Sequence, residues 1–259
     1  YYYWAYIQAV KMGEIKWGEP LDFTVPTGNF GDILAGWYAA QMGLPAGHFV
    51  CASNDNKVLY DFFRTGVYDR NRAFHVTVSP SMDILISSNL ERLLCHMGGQ
   101  DKTKAEMAAL QAEGKYTAEI TEERLSGEFA DEAETFDAIR RVYKNTGYVM
   151  DTHTAVAYDV YKQICNRGGI EPHSHTVIIG TAHPYKFPGA IAEALGLDSK
   201  ENPYDTLRML EKETGIAVPK QLKSLETAEK RFPDIVERQD MEKVIREYSD
   251  ALIIAGTGM

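Results

Sequence analysis

Cross-linking residues are scarce in this sequence. Of 259 residues only Cys51, Cys95 and Cys165 are cysteine. They form no CxxC pair and leave an odd thiol, which excludes a disulfide scaffold and fits a reducing, cytoplasmic setting. Long apolar runs are also missing: none nears the roughly 20 residues that span a bilayer, so no membrane partner is expected. Positive charge is in short supply, with 27 Lys and Arg against 37 Asp and Glu and a net charge of −10. A general nucleic-acid binder needs a basic footprint, so that class drops out. Neither internal repeats nor low-complexity linkers occur. What remains is an average globular composition, 44% hydrophobic and 11% aromatic, long enough to bury a substantial core.

The acidity is local. Between Asp101 and Asp137 stand 11 acidic and 4 basic residues, a balance of −7 that reads as a solvated helical insertion. The opening YYYWAYIQAV is crowded with aromatics and reads as the middle of a buried helix. No basic leader precedes it, so a signal peptide is not expected, and the chain reads as the C-terminal part of something longer.

Strand and helix patterns alternate along the chain. LDFTV (Leu21 to Val25) is β-rich, and Ile33, Leu34, Trp37, Tyr38 and Met42 recur at helical spacing before Gly43 and Pro45 stop the run. HFVCAS predicts a second strand, NKVLYDFFRTG a helix, FHVTV (Phe74 to Val78) a third strand, and SSNLERLLCHM a helix. FDAIRRVYKNTG and Thr154 to Cys165 read as helices, HTVIIGT (His175 to Thr181) as the most apolar strand, and PGAIAEAL and DMEKVIREY as helices. This order predicts an α/β fold with a mainly parallel sheet over residues 1–195 and a mixed, charged segment over 196–259.

Three places could carry chemistry. In LDFTV–PTGNFGD–ILAGWYAAQMG, Gly28 and Gly31 allow a sharp turn and close approach, and the first helical turn offers free N–H groups to an anion such as phosphate. The turn matches neither the P-loop nor the dinucleotide fingerprint. In IIGTAHPYKF a buried strand ends at Gly180 and presents Thr181, Ala182 and His183 at its carboxyl edge, where open α/β sheets gather ligands. In DTHTAVAY, Asp151, His153 and Thr154 either cap a helix, with Thr152 or Thr154 as N-cap, or line a pocket. Ser87, Asn89 and Arg92 likewise read as a helix cap or as an anion contact. His173 and His175 share one strand face, with His183 nearby, but no carboxylate or Cys stands at ligand spacing, so no metal is assigned.

Together these segments resemble threonine synthases of the larger type found in many bacteria and in fungi. The matching stretches are FTVPTGNFGDILAGWYAAQMGLP, SPSMDILISSNLERLL, NTGYVMDTHTAVAYDVY and TAHPYKFPGAIAEAL, covering roughly residues 1 to 195. The resemblance implies a pyridoxal-5'-phosphate (PLP) enzyme of the tryptophan-synthase-β-like fold, fold type II, that converts O-phosphohomoserine and water into L-threonine and phosphate. It implies a cofactor-phosphate cradle at Thr27, Gly28, Asn29, Phe30, Gly31 and Asp32, and a hydroxyl partner for the pyridine nitrogen at Thr181. Unlike a carboxylate, a hydroxyl there does not enforce a charged pyridinium.

The family's Schiff-base lysine has no counterpart here; Lys57 and Lys186 sit beside matching motifs but do not correspond to it. The lysine and the loop that holds the substrate phosphate are expected upstream of Tyr1, so the partner implied is the missing N-terminal part of the same enzyme. Two positions depart from the family pattern: Thr152 replaces the usual Pro of DPHTA, and Tyr185 replaces a small residue after TAHP. The rivals are another fold-type-II lyase, such as a threonine or serine dehydratase, and a fragment that binds a phosphorylated metabolite without chemistry. A metal-dependent hydrolase built on the three histidines is more distant.

Overall fold

The computed structural model describes residues 1–168, 175–231 and 235–256, the last six as backbone only. Two compact units are distinguished, Tyr1–Val218 and Pro219–Met259. The first is built on four parallel strands in the order β5-β2-β1-β6, where β1 is Leu21–Pro26, β2 Ala46–Ser53, β5 Leu125–Phe129 and β6 Thr176–Ile178. Register pairs Phe23 with Phe49 and Val25 with Cys51 across β1 and β2. Both central strands are covered on both faces, which is why they read as nearly continuous apolar runs.

One face of the sheet packs Phe23, Val25 and Phe49 against helices α1 (Tyr2–Met12), α2 (Gly31–Gln41), α3 (Val58–Thr65) and α4 (Leu90–Gly98). The other packs Val50 and Ala52 against Val156 and Val160 of α7 (Thr152–Asn166). The three-layer α/β arrangement expected from the alternation is therefore present. Helix α1 is amphipathic rather than buried all round: Tyr2 and Tyr6 are buried, while Tyr1, Tyr3 and Trp4 are exposed. Tyr2 lies over Gly36, where an added Cβ would stand 2.6 Å from its ring.

Three expectations need correction. Phe74–Val78 forms no strand and pairs with none among the described residues. Side chains take its backbone groups instead: Asn56 Oδ1 accepts from the His75 amide at 2.9 Å, Asn56 Nδ2 donates to the His75 carbonyl at 2.7 Å, and Asp83 Oδ2 accepts from the Thr77 amide at 2.9 Å. Its apolar residues Phe74 and Val76 face outward. The acidic stretch is not a purely helical insertion. Helix α5 (Gln100–Glu113) leads into β4 (Lys115–Thr117), which pairs antiparallel with β3 (Val67–Asp69), and then into β5, an edge strand of the main sheet. An edge position tolerates the polar LSGEF, and so hides the strand in the sequence. The stretch ends in α6 (Glu132–Thr146), opened by an Asp131–Glu134 capping box. Finally, β6 is a short, half-buried edge strand, not a fully buried one. The His175 carbonyl and the Ile179 amide extend its pairing to β1 by one bond at each end.

Helices α8 (Pro188–Ala194) and α9 (Pro203–Thr214) complete the first unit. The Tyr185 hydroxyl, buried beneath them, bonds Thr214 Oγ1 at 2.7 Å and donates to the Ile216 carbonyl at 2.9 Å. The tyrosine that departs from the family pattern thus ties the TAHP segment to the end of α9. The second unit holds α10 (Lys220–Ser224) and α11 (Met241–Gly256), the latter with an exposed Arg246–Glu242 pair at 2.7 Å. Among the described residues no helix is long and apolar enough to cross a membrane.

Candidate functional site

The turn from β1 into α2 is where the sheet's carboxyl edge meets a helix N-terminus. Pro26 ends β1, and Thr27 closes the strand by donating its amide to Ala52 and its hydroxyl to Val25, at 2.9 and 2.7 Å. Thr27 is therefore consumed internally. From Gly28 onward the amides are free: those of Gly28, Asn29 and Phe30 have no protein acceptor among the described residues, and Gly31 and Asp32 occupy the first helical turn, whose amides lack an intrahelical acceptor.

The carbonyls of the same turn are withdrawn to the other side. Ser87 Oγ donates to the Gly28 carbonyl at 2.8 Å, and the Asn89 amide and Nδ2 both donate to the Asn29 carbonyl, at 3.1 and 2.8 Å. Ser87 and Asn89 thus do not cap α4 by side chain; they hold the loop whose amides are free. The left-handed conformation falls on Phe30, φ 63°, not on a glycine. Such a backbone costs on the order of 1–2 kcal/mol for a residue with a Cβ, offset here by burying the phenyl ring against Phe63 at 6.1 Å between centroids. Gly28 serves close approach: an added Cβ would stand 2.4 Å from the Ser81 carbonyl oxygen.

Asp32 turns its carboxylate toward Tyr2, whose hydroxyl donates to Oδ1 at 2.9 Å. Burial, followed by the Asp32 charge and this hydrogen bond, drives the Tyr2 phenol far above its ordinary value, so it stays a neutral donor. Asp32 and Thr181 both line a cavity of about 600 Å³, walled by Tyr1, Tyr2, Trp4 and the strand end Val177–Gly180. The structure therefore brings the loop's helical end and Thr181 onto one space, while Thr27 stays apart in the sheet.

Asp151, not Thr152 or Thr154, is the N-cap of α7, accepting from the amides of His153 and Thr154 at 2.9 and 3.3 Å. Both threonines fall inside the helix, one and three positions beyond the cap. Burial raises its pKa, but the hydrogen bonds from His153 and Thr154 outweigh that and leave it below the ordinary carboxylate value. Among the described residues the other histidines form no cluster. His173 lies outside the described residues, His175 Nε2 stands 3.8 Å from Glu14 Oε2, and His183 Nδ1 accepts the Tyr185 amide at 3.1 Å. No group of three metal-ligating side chains suited to an ion occurs among the described residues.

Comparison with known proteins agrees with this geometry. Residues 154–246 match the family model described as threonine synthase, C-terminal. The threonine synthase of Saccharomyces cerevisiae is 33% identical over 278 residues, covering 97% of this chain and 50% of the yeast protein. The structure of PLP-bound threonine synthase from Brucella melitensis superposes with a TM-score of 0.76 at 31% identity, over 96% of this chain and 50% of that one. This chain belongs to the threonine synthase family. Its fold is accordingly that of fold type II, with the mainly parallel sheet described above. Human threonine synthase-like 1 is also similar, 43% identical over 200 residues, or 74% of this chain and 26% of that protein. The chain spans about half the length of the yeast and Brucella family members and about a quarter of the human one.

Proposed function

We propose that this chain supplies the phosphate cradle and one wall of the ring pocket of a PLP-dependent threonine synthase. The full-length form then converts O-phosphohomoserine and water into L-threonine and phosphate. One observation carries the reading: five consecutive residues, Gly28 to Asp32, offer amides without protein acceptors at a helix N-terminus, while Ser87 and Asn89 draw the adjacent carbonyls away. A donor set of amides alone, at the positive end of a helix, suits a phosphate dianion. The neighbouring cavity of about 600 Å³ has room for a pyridine ring, with the Thr181 hydroxyl at its wall as the partner of the ring nitrogen. That PLP is bound in the Brucella relative supports the same cofactor here.

When bound, PLP supplies the electron sink on which proton transfers at the substrate carbons depend. The residues of this chain bind and orient. The amides of Gly28–Asp32 hold the phosphate, Phe30 keeps the turn wound so that these amides converge, and Thr181 meets the ring nitrogen without charging it. The anchoring lysine is assigned upstream of Tyr1. Lys57 points its ammonium at the Phe129 ring, 3.8 Å from the centroid, and Lys186 at Phe187. This segment by itself is accordingly expected to bind PLP weakly and to be inactive.

The test is turnover by the full-length protein offered O-phosphohomoserine, threonine and serine in parallel. Threonine and phosphate formation supports the reading. Deamination of threonine or serine in its place identifies another fold-type-II lyase, and binding without turnover a non-catalytic phosphometabolite protein. On the segment alone, borohydride reduction with PLP followed by peptide mass mapping should label no lysine stoichiometrically.

A further inference from the structure

Asp151 and His153 belong neither to the amide cradle nor to the cavity wall, yet they are 2% and 3% exposed and joined to both. Capping α7 requires only that Asp151 accept two amides. Each of its oxygens does more. Oδ1 also accepts from His153 Nδ1 at 3.2 Å, and Oδ2 accepts the Thr154 hydroxyl proton. On the far side of the imidazole, Nε2 accepts the Ser81 amide at 3.1 Å. An imidazole that accepts at Nε2 carries its proton on Nδ1, and the Asp151 carboxylate is the acceptor that holds it there.

The two arms end on the two halves of the site. Ser81 is the residue whose carbonyl oxygen abuts Gly28, within 2.4 Å of where a Cβ would stand. Thr154 Oγ1 faces Gly180, 3.6 Å from the equivalent point there, and Gly180 precedes Thr181. Phe187, following the TAHP segment, packs on the His153 ring at 5.0 Å. Ser81 itself is exposed, in the one-turn 3-10 helix Pro80–Met82 beside the buried Met82, and the bond to His153 fixes the aim of its amide.

We propose that the Asp151–His153 pair is a positioning device for the phosphate cradle: with its proton held on Nδ1, His153 pins Ser81, and Ser81 sets the backbone of Gly28 and the aim of the amides that follow. Through Thr154 the same carboxylate indexes Gly180, fixing the separation between the cradle and Thr181. The inference rests on the reading of Gly28–Asp32 as a phosphate site and names the residues that set its geometry.

The test compares the chain with its His153→Gln and His153→Phe variants. Glutamine keeps an acceptor within reach of the Ser81 amide, whereas phenylalanine keeps the ring volume without one. Three readouts are taken: the imidazole tautomer by 15N spectroscopy, amide hydrogen exchange, and titration with inorganic phosphate and with PLP followed at the amides of residues 28–32. The expected results are a single Nδ1-protonated tautomer in the parent chain and, in the phenylalanine variant, exchange at Ser81 faster by about tenfold, the scale of one lost hydrogen bond, with the amide resonances of residues 28–32 displaced. Exchange in the β1–β2 core stays unchanged, PLP binding falls by a similar factor, and the glutamine variant recovers both. An Nε2-protonated tautomer in the parent chain, which needs no variant to fold, overturns the proposal. So does equal behaviour of the two variants. If neither phosphate nor PLP perturbs residues 28–32 of the parent chain while the phenylalanine variant still speeds exchange at Ser81 and displaces the resonances of residues 28–32, the pinning stands and the phosphate reading falls.

Discussion

The Ser87 hydroxyl donates to the Gly28 carbonyl oxygen at 2.8 Å, across 59 positions of sequence. This bond, with the paired donation from Asn89 to Asn29, gives the turn before α2 one face made of amides only. Replacing Ser87 by Ala leaves a half-buried carbonyl without its donor, which costs about 1 kcal/mol. Thermal unfolding should report that loss. Titration with PLP should weaken alongside it, because the freed carbonyl no longer has a reason to turn from the anion.

Gly28 and Gly31 look alike in the sequence but not in the fold. A Cβ at Gly28 meets the Ser81 carbonyl oxygen at 2.4 Å and Met82 Cα at 3.2 Å, both backbone, whereas at Gly31 the nearest atom is the Asn89 side chain at 3.4 Å. Gly28→Ala should therefore destabilise by about 1–3 kcal/mol through overpacking. Gly31→Ala should stay within about 0.5 kcal/mol of the parent chain. Denaturant unfolding of the two variants side by side checks the contrast.

The three thiols should separate by reactivity. Cys51 is fully buried in β2, and burial pushes its thiol up to about 12 against the smaller pull of hydrogen bonds from Thr27 and Ser53. Cys95 is exposed and Cys165 half-buried. A thiol-specific reagent at pH 8 should modify Cys95 first and Cys51 only after denaturation. Modification of Cys51 in the folded chain at the rate of Cys95 would contradict the assigned packing of β2.

Acid should weaken the contact between Glu122 and α2. Hydrogen bonds from Arg124 hold the Glu122 carboxyl at about 2, against an opposing push from burial and with help from Trp37 Nε1, which donates at 2.7 Å. Since the folded value lies below the ordinary 4.5, the associated stability is full above pH 4.5 and disappears as pH falls toward 2. Glu122→Gln should lower the melting temperature at pH 7 and flatten its decline between pH 4.5 and 3. Melting curves over that range measure both effects.

Much of the architecture was legible because it rests on short-range patterns. The β1–turn–α2 unit, the second strand and the helices ending at Gly66 and Gly147 follow from periodicity and helix-stop chemistry within a dozen residues. Strand β5 was hidden because an edge position accepts Ser126 and Glu128, which erase the apolar alternation. Phe74–Val78 shows the opposite failure. Its alternation is real, but Asn56 and Asp83, brought in from elsewhere, satisfy its backbone and leave no call for a strand partner.

At the site the same division holds. By itself the sequence determined that a glycine-bearing turn leads from a buried strand into a helix, and that Thr181 follows another strand, because such features are written in neighbouring residues. Only the tertiary structure decided that Ser87 and Asn89 grip the loop carbonyls, that Phe30 rather than a glycine takes the left-handed turn, and that His153 reaches Ser81 across 72 positions. Those outcomes depend on which groups compete for each buried donor and acceptor once distant segments are packed together, and that competition exists only in the folded chain.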